Sequence, residues 1–101
     1  MHVKTSVTDS VFEAHLSDRL SFSDNAAFRS LLQEMLSSKA HTWVLNLANL
    51  KAVDSAGLGM FIIALETAKK AGLSLTLKSP SGHVKNLIEL SKMDKLITVE
   101  A

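Results

Sequence analysis

Residues 43–59 read Trp-Val-Leu-Asn-Leu-Ala-Asn-Leu-Lys-Ala-Val-Asp-Ser-Ala-Gly-Leu-Gly, or WVLNLANLKAVDSAGLG. Trp43 to Leu47 is a short, nearly continuous apolar run, the pattern of a central strand covered on both faces, with Asn46 its one polar intrusion. After Asp54-Ser55-Ala56-Gly57 the period changes. Leu58, Phe61, Ile62, Leu65 and Ala68 recur at helical spacing until Gly72, a C-terminal stop, which predicts a helix over about Ala56–Ala71. Leu73–Leu77 then alternates strictly, as a strand with one wet face does. A strand, helix and strand of this length form a right-handed crossover between parallel strands. In open sheets of that kind functional surfaces gather at the carboxyl ends of the strands, which is where Ser55 falls.

Working outward, His2–Val7 and Val11–Leu16 alternate on either side of Thr8-Asp9-Ser10, predicting an antiparallel hairpin although the turn lacks Asn-Gly or Asp-Gly. Phe28, Leu31, Leu32, Met35 and Leu36 mark the apolar face of a first helix, about Asp24–Ser38, with Ser23 as its N-cap. Past Pro80, Ser81 can cap a third helix with Val84, Leu87, Ile88 and Ser91 on one side. A last strand is expected over Leu96–Val99. The order is β-β-α-β-α-β-α-β, an α/β fold with a mixed sheet, expected to form one domain over 1–101.

Composition narrows the function. A chain of 101 residues can bury one core but hardly two. Eleven basic and ten acidic residues, a net charge of +1, form no block suited to a phosphate backbone, so no nucleic-acid partner is expected. No cysteine is present, which suits a reducing compartment. The N-terminus lacks the apolar core of a signal peptide, and the longest apolar run, Leu58–Leu65, is far too short to insert in a membrane. A cytoplasmic location is the expectation.

Enzyme chemistry finds little support. A nucleophile elbow around Ser55 would need glycine where Val53 stands, and His2, His15, His41 and His83 have no spacing that aims any of them at Ser55. Gly57-Leu58-Gly59 opens a dinucleotide fingerprint whose third glycine would stand at Ile62. No ligand spacing for a metal occurs. Neither catalysis, cofactor nor metal is therefore expected. As structure, Asp54 or Ser55 caps the second helix, contributing about 1 kcal/mol, while Gly57 or Gly59 permits close packing on the sheet. As function, the same helix start makes Ser55 a place where an added phosphate acts strongly. Ala56, Met60, Ile63, Thr67 and Lys70 share the face opposite the expected buried one, so Met60 and Ile63 would be apolar where solvent should be. That strip is covered by another element, by a homodimer, or by a docked partner.

The run from Trp43 to Leu96, with its Asp-Ser-x-Gly-Leu-Gly signature after an apolar strand and its glycine, strand, proline and helix sequel, resembles the core of the STAS domains. The likeness is to the bacterial anti-sigma factor antagonists, and it covers nearly the whole chain. It implies a STAS-like mixed sheet with helices packed mainly on one face. It also implies partner switching: the unphosphorylated antagonist binds an anti-sigma factor that is also a serine kinase, phosphorylation ends the binding, and a PP2C-type phosphatase restores it. By position the phosphoacceptor is Ser55, and Asp54, Ala56, Gly57, Leu58, Gly59, Met60 and Ile63 complete the expected partner-binding set. A constitutive STAS scaffold, such as the small subunit of a lipid-transport ATPase complex, is the alternative. Ser21 and Asn46 stand where many members are acidic, and both are expected at the rim that carries Ser55.

Overall fold

The computed structural model describes residues 1–101. Asp9 and Ser10 turn the chain back on itself, both with positive φ (50° and 68°), so the loop between β1 (His2–Thr8) and β2 (Val11–Leu20) is the tight primed turn that suits twisted antiparallel strands. A 3-10 turn (Phe22–Asp24) leads into α1 (Asn25–Ser37). Then come β3 (Thr42–Val53), α2 (Ser55–Lys70), β4 (Ser74–Lys78), α3 (Gly82–Leu90), a second 3-10 turn (Met93–Lys95) and β5 (Thr98–Glu100). The element order read from the sequence is thus the one observed.

The five strands lie side by side in chain order, with β1 antiparallel to β2 and every later pair parallel. Successive right-handed crossovers between adjacent strands place all three helices on the same face. Burial follows from that. Phe12, Ala14 and Leu16 of β2, Trp43, Leu45 and Leu47 of β3, and Leu75 and Leu77 of β4 are buried under the helices. Their alternates Glu13, His15, Val44, Asn46, Thr76 and Lys78 are only half-buried, so β3 is covered on one face and not on both as its apolar run suggested.

β3 is also longer than Trp43–Leu47. Against β2 it carries two extra residues, since the register steps from His15↔Asn46 to Ser17↔Asn49 and from Asp18↔Leu50 to Arg19↔Ala52. Each bulge breaks the period of two, and the buried side chains past Leu47 are Leu50 and Val53. Asn46 consequently lies mid-strand on the open face, donating from Nδ2 to Glu13 Oε2 at 2.8 Å, and not at the rim beside Ser55. At α1, Phe28, Leu31, Leu32 and Met35 are buried as the spacing predicts, whereas Leu36 is 37% exposed. Asp24, not Ser23, is the residue at the N-cap of α1.

The primed turn costs its L-residues backbone energy that glycine avoids. Ser10→Gly should stabilise the fold by about 1 kcal/mol, read as a higher urea midpoint with an unchanged slope.

Candidate functional site

Val53 is the last buried residue of β3, and the chain turns from it straight into α2. Asp54 makes the turn. Its N–H donates to Leu20 O at 3.2 Å, its Oδ1 accepts from Gly57 N at 2.8 Å, and its Oδ2 accepts from Phe22 N at 3.3 Å. One carboxylate therefore caps α2 and also holds the 3-10 turn that follows β2. Of the two residues able to cap, Asp54 does so, and Ser55, the first helical residue, is exposed with a side chain that makes no hydrogen bond within the chain.

Gly57 fixes how α2 lies. A Cβ there would collide with Val53 Cγ2 and would stand 2.7 Å from Leu20 O, so this turn of the helix rests on the backbone of β2. With Gly57 against the sheet, Met60, Phe61, Ala64 and Ala68 follow on the buried side. Met60 is only 3% exposed, which corrects its place on a free strip: it is a core residue, out of reach of any partner. Ile63 is half-buried and packs on the core. Leu58, Ile62 and Leu65, taken above for the buried face, are half-buried against the core in the same way as Ile63. Phe61 and Ala68 are buried as the spacing predicts, and the face turns toward Gly57, Met60 and Ala64 because small side chains let a helix sit close to a sheet. Gly59 is exposed with nothing within 4 Å of its missing Cβ, so it does not serve close packing on the sheet.

The surface at the head of α2 accordingly comprises the exposed Asp54, Ser55 and Gly59, with Ala56, Leu58 and Ile62 half-buried among them. Phe22 stands next to it at 72% exposure, its backbone tied to Asp54. Periodicity missed Phe22 because it belongs to no helical or strand face. The available signal was a large aromatic placed between serines, ahead of the cap. Its turn is braced by Asp24, which accepts from Ser21 N at 2.9 Å and from the N-terminal amine at 3.1 Å. The bond from Ser21 N holds the Asp24 carboxyl below its ordinary value against the opposing cost of burial, with the amine's bond and charge adding to it.

An exposed hydroxyl at a helix start, with half-buried apolar residues along the same helix, thus lies at the carboxyl end of the central strand of a small α/β module. The chain belongs to the STAS family: the family model described as "Mlab, STAS domain" matches residues 4–98. No curated protein matches it by sequence. Among solved structures, the Thermotoga maritima protein TM1081, a candidate anti-sigma factor antagonist, superposes with a TM-score of 0.88 at 19% identity over 98% of this chain and 86% of that one. The unphosphorylated anti-sigma factor antagonist SpoIIAA of Bacillus gives 0.74 at 16% identity over 99% and 87%. A sulfate transporter family protein from Wolinella succinogenes gives 0.80 at 14% over 94% and 80%. These likenesses establish the STAS fold, and no helix of the chain is long and apolar enough to cross a membrane.

The two glycines should respond in opposite ways. Gly57→Ala should destabilise by about 1–3 kcal/mol through overpacking, and Gly59→Ala should stabilise by about 0.5–1 kcal/mol through helix propensity, both measured by urea unfolding. Asp24 supplies a pH test. Its carboxyl is depressed in the folded state below the unfolded value near 3.8, so its contribution is complete above that pH and is lost as pH falls through the folded value. Asp24→Asn should therefore melt below the parent at neutral pH, and the two melting curves should converge in strong acid.

Proposed function

We propose that this STAS protein is a phosphorylation-controlled, cytoplasmic protein-binding module of the anti-sigma factor antagonist type. Its unphosphorylated form docks an anti-sigma factor that is also a serine kinase and so frees a sigma factor. Phosphorylation of Ser55 ends the binding, and a PP2C-type phosphatase reverses it. The observation that carries this reading is the division of labour at the helix start: Asp54 takes the cap, leaving the Ser55 hydroxyl exposed and unbonded. A kinase can reach such a hydroxyl, and modifying it breaks no bond of the fold. A phosphate of nearly two negative charges there stands beside the Asp54 carboxylate and the apolar side chains of Leu58 and Ile62, which reverses the character of the surface.

A hundredfold loss of affinity corresponds to about 2.7 kcal/mol, within reach of like-charge repulsion and desolvation of one phosphate at an interface. Ser55→Asp should abolish binding to the cognate kinase, and Ser55→Ala should retain binding while blocking phosphate incorporation, measured by calorimetry and by intact mass after kinase treatment. Unchanged affinity of Ser55→Asp would sink the switch.

The description of the matching family model, Mlab, favours a second reading, a constitutive STAS scaffold such as the small subunit of a lipid-transport ATPase complex. In that case Ser55 is a contact residue only. Co-purification with a transporter ATPase, together with absence of phosphate on Ser55 in the native host, would select the scaffold.

A further inference from the structure

β1 is an edge strand whose one side pairs with β2 in unbroken antiparallel register and whose other side is unpaired. Edge strands of soluble proteins are usually guarded by a proline, a bulge or several charges. β1 has no proline, no register shift against β2, and Lys4 as its single full charge. Beside the strand, β1 and α1 leave a groove of about 340 Å³ with Met1, Val3, Ala27 and Leu31 as its apolar walls and Thr5, Ser30 and Glu34 as its polar ones. Val7, on the same face of β1 as Val3, is 55% exposed.

We propose that β1 pairs with β1 of a second copy of this chain, antiparallel about a two-fold axis through Thr5. In an antiparallel pair, directly opposite side chains share a face. A two-fold axis that keeps both helix layers on one side of the joined sheet must then pass through a residue and not between two. Centring on Lys4 sets Lys4 against itself, a like-charge pair. Centring on Ser6 leaves His2 and Val3 without partners. Centring on Thr5 pairs the whole strand, setting His2 against Thr8, Val3 against Val7, Lys4 against Ser6 and Thr5 against itself.

In that register the exposed Val7 of each copy lands beside Val3 at the groove of the other, against its apolar lining of Met1 and Ala27. About six to eight new backbone hydrogen bonds join the two five-stranded sheets into one. Self-complementarity of the strand and the matching groove both single out a second copy as the occupant. β1 lies at the edge of the sheet and Ser55 follows β3, two strands away, so the existence of the dimer does not depend on the role of Ser55.

Sedimentation equilibrium of the whole chain tests this, with a monomer–dimer equilibrium expected. Val7→Lys, at a position already exposed, should keep the circular dichroism spectrum and weaken the dimer by at least about tenfold. Because the chain has no cysteine, Thr5→Cys places a unique thiol next to its own copy on the two-fold axis. Under mild oxidation it should form an interchain disulfide readily, whereas Lys4→Cys, opposite Ser6, should not. A chain that sediments as a monomer throughout overturns the proposal. So does a dimer that Val7→Lys leaves intact and that Lys4→Cys crosslinks as readily as Thr5→Cys.

Discussion

The Asp54 carboxylate ties the turn after β2 to the first turn of α2, just past the Leu20↔Val53 pairing that ends the β2–β3 ladder. Oδ1 holds the first turn of α2 through Gly57 N, and Oδ2 holds the 3-10 turn after β2 through Phe22 N. The backbone of Asp54 adds a bond to Leu20 O, the same carbonyl that Gly57 must approach without a side chain. Charge-assisted bonds of this kind are the stronger ones, and two of them here act at right places for orientation as well as energy. Once α2 is held at that height, its rotation follows from Gly57, and its buried and open faces follow from its rotation.

The two bulges of β3 serve the same end. Without them the period of two would continue past Leu47, turning Asn49 and Lys51 toward the core and both Leu50 and Ala52 away from it. With them Leu50 and Val53 both enter the core, and the strand delivers Asp54 to the carbonyl of Leu20. The bulged end of a central strand is thereby converted into a firm platform for the helix start. Rigidity matters there because the surface around Ser55 comes from the turn after β2 and from α2, and it keeps one shape only if both are anchored to the same residue.

Much of this architecture was legible in the sequence, for identifiable reasons. The hairpin, α1 and β4 announced themselves because strict alternation or one apolar helical face has a single structural meaning. The junction at Asp54-Ser55 was legible as well, since a carboxylate, a hydroxyl and glycines between two apolar runs mark a helix start. The rest was hidden where a local rule met a tertiary constraint. β3 hid its second half because bulges replaced alternation. α2 is apolar on nearly every side, so helical spacing placed Leu58, Ile62 and Leu65 beside Phe61 and Ala68 on its buried face, whereas the small Gly57 and Ala64, with Met60, take the fully buried places. Met60 went to the wrong side for that reason. Phe22 was overlooked because no period includes it.

The arrangement also separates what stabilises the molecule from what a modifying enzyme could alter. In many helix starts one hydroxyl both caps the helix and faces solvent, so a phosphate added there disrupts a bond of the fold before it affects any partner. Here the cap is a carboxylate, and the hydroxyl one residue later contributes nothing to it. A charge placed on Ser55 leaves the Asp54 ties in position and changes only the electrostatics of the surface they hold. Repulsion from Asp54 cannot be relieved by moving that carboxylate, because both its oxygens are engaged by backbone N–H groups. The proposed switch therefore needs no second conformation: the fold that presents the serine also keeps its negative neighbour beside it.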